Sequence, residues 1–261
     1  MHTITFEGGL GSQVLAFIEM QFFLYNKLHF SLDLSYFTNE ESQSVDTLRP
    51  WRLSRFGIEI SDVRSTSKMN KKVKNLNFAN INREIWEFGK KNKEKFFPFD
   101  PKPALDFLKN NGIDTEQEFT AIHVRRGDYL QLSSKIVTDQ EVIDLISKLS
   151  NLIDDFIVIS SDSVLSKRMN KFLTQFAQTQ EKKILVLDSL ELDEVLIHQI
   201  FRLSDKLICS NSTFSFSAAI LAKSNNISFA PIDFFDPLSW GGSTEKINQK
   251  FRDSGKFFIL E

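Results

Sequence analysis

Short apolar strands that alternate with helices constrain the fold of this chain more than any other feature. Strands are predicted at 119–124, 156–160, 184–187, 206–209 and 227–229, and helices at 139–150, 164–177, 192–203 and 214–222. Strands this apolar are buried on both faces, which is typical of a parallel sheet covered by helices. We therefore expect an α/β domain whose ligand binds beyond the carboxyl ends of the strands.

The first 35 residues predict a second, smaller α/β element. Residues 3–6 form a short strand, residues 8–11 a glycine turn, and residues 29–34 a second strand. Ser12 is a candidate cap for the helix between them, which carries apolar residues at helical spacing. A strand, a glycine turn and a helix in this order direct backbone N–H groups towards an anion.

A domain boundary is expected after the lysine- and asparagine-rich stretch at 61–103. Its apolar periodicity is weak, and the prolines near its end indicate a connection. We predict an N-terminal lobe at 1–112, a C-terminal ligand-binding lobe at 113–238, and an extension at 239–261 that packs back on the first lobe.

Composition excludes several classes of protein. The 261 residues carry 32 Lys+Arg and 34 Asp+Glu, a net charge of −2, so the basic surplus of a duplex-binding protein is missing. The single cysteine, Cys209, excludes an intramolecular disulfide and a multi-cysteine zinc site, and the four histidines show no metal-binding spacing. No apolar run is long enough to span a membrane and no signal peptide is evident, so we expect a cytoplasmic protein.

Two arginines follow the strand predicted at 119–124, within the sequence His123-Val124-Arg125-Arg126-Gly127-Asp128-Tyr129. A guanidinium next to a buried strand needs an anionic partner, and its planar fork matches phosphate oxygens. We expect one arginine to meet the ligand and the other to pair with Asp128 or Asp162. The alternative is a structural ion pair at the sheet edge. His123 is better explained as a hydrogen-bonded core residue than as a base.

Polar residues also follow the strand predicted at 206–209. Asn211-Ser212-Thr213-Phe214-Ser215 opens a helix, where hydroxyls and N–H groups together can hold an anion. The alternative is a plain N-cap, although a cap needs only one such residue. Asp162 closes a third strand, where it either lines the same crevice or braces the arginines.

Three segments together resemble the family 11 glycosyltransferases, the α-1,2-fucosyltransferases. Gly8-Gly9-Leu10-Gly11-Ser12-Gln13 is similar to the family loop Gly-Gly-Leu-Gly-Asn-Gln. The segments at 123–129 and 211–215 match the family signatures His-x-Arg-Arg-x-Asp and Asn-Ser-Thr-Phe-Ser. The resemblance implies an inverting, metal-independent enzyme with no cofactor, which transfers fucose from GDP-fucose to a bacterial glycan such as an O-antigen precursor. It also implies a GT-B arrangement, with two Rossmann-like lobes facing a cleft.

The resemblance assigns expected roles by motif. Arg125 and Arg126 include the arginine that holds the donor β-phosphate. The other expected donor-site residues are Gly9, Gly11, Ser12, His123, Asp162, Asn211, Ser212, Thr213 and Phe214. Glu7 and Asp128 are the alternatives for the general base. Asp188, Glu191 and Asp193 are alternatives for reading guanine.

Departures from the family pattern leave other functions open. Ser12 replaces an asparagine, Ser163 replaces an aspartate, and Phe216-Ser217 replaces a tryptophan pair. A different nucleotide-sugar donor, or a non-catalytic nucleotide-binding protein, are therefore the alternatives. Lysines beside aromatic residues at 68–97 suggest either docking on an anionic membrane or an ordinary solvated face.

Overall fold

The computed structural model describes residues 2–38, 49–66, 78–125, 138–161, 163–188, 192–210, 212–231 and 257–260. The chain divides into two compact units, residues 1–99 and residues 100–261.

The first unit is built around the βαβ element expected from the sequence. Strands β1 (His2–Thr5) and β2 (Phe30–Asp33) pair in parallel, and helix α1 (Leu10–Tyr25) connects them. Ile4, Val14 and Ile18 are at most 1% exposed. The regularly spaced apolar residues of this segment are therefore the ones that pack in the core. The βαβ prediction is confirmed.

Helices form most of the remainder of the first unit. They are α2 (Ser35–Thr38), a 3-10 helix (Leu53–Phe56), α3 (Ile60–Thr66) and α4 (Phe78–Phe96). Helix α4 packs on α1 through aromatic rings, with Phe22 and Phe88 at 5.6 Å between centroids. Trp86 is 3% exposed, so a segment with weak sequence periodicity still contributes to the core.

The described strands of the second unit are β3 (Phe119–Val124), β4 (Phe156–Ser161), β5 (Lys183–Asp188), β6 (Lys206–Ile208), β7 (Ile227–Pro231) and β8 (Phe257–Leu260). They form a parallel sheet with the order β5-β4-β3-β6-β7-β8. The strand predictions at 119–124, 156–160, 184–187, 206–209 and 227–229 are confirmed. Strand β3 is buried along its whole length, as an interior parallel strand should be.

The described helices of the second unit are α5 (Lys102–Asn110), α6 (Asp139–Lys148), α7 (Lys167–Thr179), α8 (Glu194–Leu203) and α9 (Thr213–Leu221). Each of α6 to α9 is preceded by a residue whose side chain caps it. Thr138 and Glu141 form a capping box at α6, and Ser166 caps α7. The four helices predicted after residue 138 are confirmed.

A polar network ties the strands together at their amino ends. The Asp205 carboxylate accepts from the Phe119 backbone N–H at 3.1 Å and pairs with Lys223 Nζ at 2.6 Å. Asp154 accepts from the Thr120 hydroxyl at 2.8 Å and also pairs with Lys206. These contacts fix β3 against its neighbours at the edge opposite to that of the sequence motifs.

Two expected boundaries differ from the structure. The units divide between Phe99 and Asp100, before the boundary expected at residue 112, because α5 packs on α8 of the second unit. Within the predicted extension at 239–261, residues 257–260 form β8 beside β7, whereas the sequence suggested packing on the first lobe. Their apolar sequence, Phe-Phe-Ile-Leu, suits an added parallel strand.

Candidate active site

The second and third sequence motifs meet at the carboxyl ends of β3 and β6. The two strands are neighbours, with Ile122 aligned to Ile208. His123 lies near the end of β3, and its Nδ1 atom is 3.0 Å from the hydroxyl of Ser210, which follows β6. Both side chains are buried. Adjacent strands thus bring together two motifs that are far apart in the sequence.

Phe214, on the first turn of α9, lies at the centre of an aromatic cluster. Its ring centroid is 5.6 Å from that of His123, 5.4 Å from that of His198 and 5.9 Å from that of Phe201. His198 Nε2 is 3.0 Å from the Ser217 hydroxyl, which also donates to the Phe214 carbonyl at 2.9 Å. The motif phenylalanine is therefore held by α8 as well as by its own helix.

Sequence reasoning missed His198, Phe201, Ser210 and Ser217. A signal was present for two of them, because His198 and Phe201 are three residues apart and so share one face of α8. Ser217 was singled out only as a departure from the family pattern. The structure shows that the Ser217 hydroxyl is hydrogen-bonded to His198.

Burial keeps both histidines of this cluster neutral. Burial and, to a smaller extent, the nearby charge of Arg125 together lower the pKa of His123 to about 3. Burial and the charge of Arg202 likewise lower the pKa of His198 to about 3. An imidazole this weakly basic suits a hydrogen-bonded structural role for His123 and not that of a general base at neutral pH.

The N-terminus of α9 combines a cap with an exposed hydroxyl. Ser212 is 4% exposed, and its hydroxyl accepts from the Phe214 backbone N–H at 3.3 Å. The Ser215 hydroxyl donates to the Ser212 carbonyl at 3.3 Å, while the Thr213 side chain is exposed. The N-cap interpretation therefore applies to Ser212, and contact of Thr213 with a ligand stays a prediction.

Arg125 follows β3 directly and is half-buried, with its Nε atom inaccessible to solvent. Arg125 comes two residues after His123, whose imidazole contacts the Ser210 hydroxyl, and its charge contributes to the lowered pKa of His123. The expected site residues Arg126, Asp128, Asp162 and Asn211 lie outside the described residues, as does Glu191.

The carboxyl ends of β4 and β5 continue this edge of the sheet. Ser160 and Ser161 are buried and align with His123 and Val124 of β3. Asp188 ends β5 and aligns with Ser161, although its side chain is not described. Asp193 caps α8 by accepting from the Val195 backbone N–H at 2.7 Å. This capping bond gives Asp193 a structural role. Asp193 also stays a candidate for hydrogen bonding to the guanine base.

The glycine turn of the first unit follows β1. Gly8 has φ +68°, and a Cβ atom there would lie 3.3 Å from the Ser12 hydroxyl oxygen. A side chain at position 8 is therefore disfavoured by both backbone conformation and space. Gly9 is the N-cap residue of α1, Gly11 is buried on the helix, and Glu7 is exposed just before the turn.

The described ranges contain neither a metal-binding cluster nor a helix that could span a membrane. No group of three or more His, Cys, Asp or Glu residues there could hold a metal ion. In the same ranges, every helix is too short or too polar to cross a bilayer.

A sheet of parallel strands, with two polar motifs meeting at its carboxyl edge, is the architecture of α/β enzymes that bind nucleotides. The family model for glycosyl transferase family 11 matches residues 104–240, more than half of the 261 residues. The chain belongs to glycosyl transferase family 11. A search of curated proteins found no significant match.

Comparison with solved structures gives the fold class. A crystal structure of POFUT1 in complex with GDP matches with a TM-score of 0.51 and 11% identity, over 88% of this chain and 98% of that one. A POFUT1 complex with GDP-fucose has a TM-score of 0.42 and 14% identity, over 56% of this chain and 50% of that one. E. coli heptosyltransferase WaaC with ADP has a TM-score of 0.42 and 10% identity, over 100% of this chain and 93% of that one. The α/β fold class expected from the sequence, the GT-B type with Rossmann-like lobes, is confirmed.

Proposed function

We propose that the protein is an inverting fucosyltransferase that moves L-fucose from GDP-fucose to a galactoside 2-hydroxyl of a bacterial glycan. The observation that carries the proposal is the contact between His123 and Ser210, which joins the arginine motif to the N-terminus of α9. Membership of family 11 makes the protein a glycosyltransferase, and the POFUT1 structures with GDP and GDP-fucose support this donor.

The reaction is a single displacement at the anomeric carbon of fucose. The acceptor oxygen forms a bond to the anomeric carbon. At the same time the bond between the anomeric carbon and the β-phosphate oxygen breaks, and GDP leaves with the electron pair. Negative charge therefore develops on the diphosphate. Arg125 and the backbone N–H groups at the start of α9 are suited to stabilise this charge most strongly in the transition state.

The acceptor hydroxyl must lose its proton to a base. Glu7 is exposed just after β1, and a carboxylate is suited to act as the general base. We expect Glu7→Gln to lower kcat more than it raises the donor KM, because the base acts in the transition state. Steady-state kinetics with a galactoside acceptor measure this split, and Glu59→Gln, another exposed carboxylate of the first unit, is the control. Unchanged kcat in Glu7→Gln would leave Asp128 as the candidate base.

A specific observation favours a second candidate donor. Ser12 stands where the family loop has asparagine, and its hydroxyl lies against the turn at Gly8. A shorter side chain turned towards the loop contacts the sugar differently, so a nucleotide sugar other than GDP-fucose is the alternative.

A nucleotide panel distinguishes the two candidates. GDP should raise the melting temperature of the full chain, because a ligand that binds only the native state stabilises it.

Hydrolysis of GDP-fucose should exceed that of UDP- and dTDP-sugars, and added EDTA should leave the rate of hydrolysis unchanged. A preference for another nucleotide sugar would establish the alternative donor. Activity that chelation abolishes would contradict metal-independent transfer, and binding without turnover would indicate a non-catalytic protein.

A further inference from the structure

Trp51 lies between two residues whose main chain is held in place by Gln13, a completely buried glutamine. The Gln13 side-chain nitrogen donates to the Pro50 carbonyl at 3.0 Å and to the Gly8 carbonyl at 2.9 Å. The Gln13 side-chain oxygen accepts from the Arg52 backbone N–H at 2.8 Å. Because a buried amide is costly unless it is hydrogen-bonded, all three bonds matter to the fold. They fix the chain on both sides of Trp51 and tie it to the glycine turn.

The indole ring of Trp51 is fixed by contacts of its own. Its Nε1–H donates to the Ile58 carbonyl at 2.8 Å. Its ring centroid is 5.6 Å from that of Phe6, and it is 5.3 Å from that of Phe37, whose ring is perpendicular to it. A hydrogen bond and two ring contacts leave the indole little freedom to turn. A ligand that packs on this ring therefore has little side-chain order to impose, which favours binding.

Trp51 belongs to an aromatic row at the carboxyl ends of β1 and β2, formed with Phe6, Phe37 and Tyr36. Phe6 directly follows β1, and its backbone N–H donates to the Asp33 carbonyl at the end of β2 at 2.9 Å. Phe37 and Tyr36 lie on α2, the first helix after β2, with 5.0 Å between their ring centroids. Phe6 is completely buried, whereas the other three residues are half-buried. The row thus runs from the core to the surface at the edge where parallel strands bind ligands.

The chemistry of this aromatic row suits a sugar ring. One face of a galactopyranose carries the C–H groups of C3, C4 and C5, which pack on an aromatic ring, while its hydroxyls reach polar groups at the side. Glu7, which is exposed and directly follows Phe6, supplies a carboxylate next to the row. Three half-buried side chains offer far less than the about 800 Å² that a stable protein interface buries on each partner. The row therefore fits a single sugar ring better than a protein.

We propose that Trp51 is the residue on which the galactose ring of the acceptor stacks. The inference rests on the proposed function for its substrate class. Glu7, the candidate general base, comes directly after Phe6, whose ring contacts Trp51. The stacking ring and the candidate base thus belong to one hydrogen-bonded part of the first unit.

Two substitutions of Trp51 test the stacking contact, with lactose as the acceptor and GDP-fucose as the donor. Trp51→Leu removes the aromatic face and should raise the KM for lactose by about tenfold, while the KM for GDP-fucose stays at its wild-type value. Trp51→Phe keeps an aromatic face and should retain most of the affinity for lactose. An unchanged KM for lactose in Trp51→Leu would overturn the proposal, as would an equal rise in the KM values of donor and acceptor.

Tryptophan fluorescence gives a second readout that needs no turnover. Lactose should change the emission of the wild-type protein, because a sugar that packs on Trp51 changes the surroundings of its indole. The change should be lost in Trp51→Phe. It should persist in Trp86→Phe, the matched control, because Trp86 is only 3% exposed on α4 of the same unit. Maltose, which contains glucose only, is the control sugar and should have a smaller effect than lactose.

The fluorescence titration separates this inference from the proposed function. If lactose changes the emission of Trp51 but no fucose is transferred from GDP-fucose, the proposed function fails and the stacking contact stands. A wild-type protein that does not respond to lactose, a response that survives in Trp51→Phe, or an equal response to maltose would overturn the stacking of galactose on Trp51. If Trp51→Leu does not fold, the comparison of Trp51→Phe with Trp86→Phe decides.

Discussion

Single residues at the end of β3 carry the largest expected effect on catalysis. Arg125 directly follows β3, whose His123 contacts Ser210, and a charge-assisted hydrogen bond to phosphate contributes about 1.5–3 kcal/mol. Arg125→Ala should therefore lower kcat by more than about tenfold without unfolding the protein. Arg125→Lys should recover little of this loss.

Steady-state kinetics and a thermal melt together measure this effect. Arg168→Ala is the control, because Arg168 is exposed on α7 of the same unit. If Arg125→Ala keeps full activity, Arg126 becomes the candidate for the phosphate contact. Full activity in both Arg125→Ala and Arg126→Ala would contradict a phosphate contact by either arginine.

The two neutral histidines make stability depend on pH. Their folded pKa values of about 3 lie below the usual value of 6.5, so the unfolded state binds more protons between these values. The free energy of unfolding should therefore fall as pH decreases below 6.5, by at most about 1.4 kcal/mol per pH unit for each histidine. Urea unfolding at pH 7 and pH 5 measures the difference.

The control for the pH effect is a histidine outside the buried cluster. His29→Gln is the control for the substitution itself, because His29 lies in the first unit. A free energy of unfolding that is equal at pH 5 and pH 7 would contradict neutral burial of His123 and His198.

At the level of elements, α8 and α9 act together through the contact between His198 and Ser217. Ser217→Ala removes a hydroxyl at 3.0 Å from a fully buried imidazole nitrogen, which should destabilise the protein by about 1–3 kcal/mol. It should also weaken GDP binding, because Phe214 packs on His198. Melting temperature and calorimetric GDP titration measure the two effects.

Ser147→Ala provides a matched control for Ser217→Ala. Ser147 is an exposed helical serine that donates to the Ile143 carbonyl at 2.7 Å, much as Ser217 donates to the Phe214 carbonyl. Its replacement should shift stability by less than about 0.5 kcal/mol. Equal effects of the two substitutions would show that the His198 contact contributes nothing.

For the molecule as a whole, we expect the lysine-rich part of the first unit to be a solvated face. Trp86 and Phe97 are buried and Lys90 Nζ lies 5.0 Å above the Trp86 ring, so these aromatic side chains do not extend towards a bilayer. We expect no co-sedimentation with neutral or anionic vesicles at about 0.15 M salt. Binding to anionic vesicles that added salt reverses would instead establish the membrane docking considered from the sequence. Lys68, Lys71, Lys72 and Lys74 lie outside the described residues.

Local sequence patterns were sufficient for most of the secondary structure. The spacing of apolar residues, helix caps and glycine turns predict α1, β3 and α6 to α9. These elements are predictable because each signal depends on residues that are close in the chain. Helix α4 was missed, since its burial depends on aromatic contacts with α1 that no local pattern encodes. The place of β8 beside β7 likewise depends on pairing between distant segments.

The sequence by itself determined the α/β class, the family and the motifs that carry the candidate site. Motifs fix which chemical groups are available, and their residue types limit what those groups can bind. Only the tertiary structure decided which groups meet. It placed Ser210 against His123, assigned Ser212 and Asp193 to capping bonds, and joined Pro50 and Arg52 to the glycine turn through the side chain of Gln13. These contacts join residues through hydrogen bonds and burial, which depend on three-dimensional proximity and leave no periodic signal in the chain.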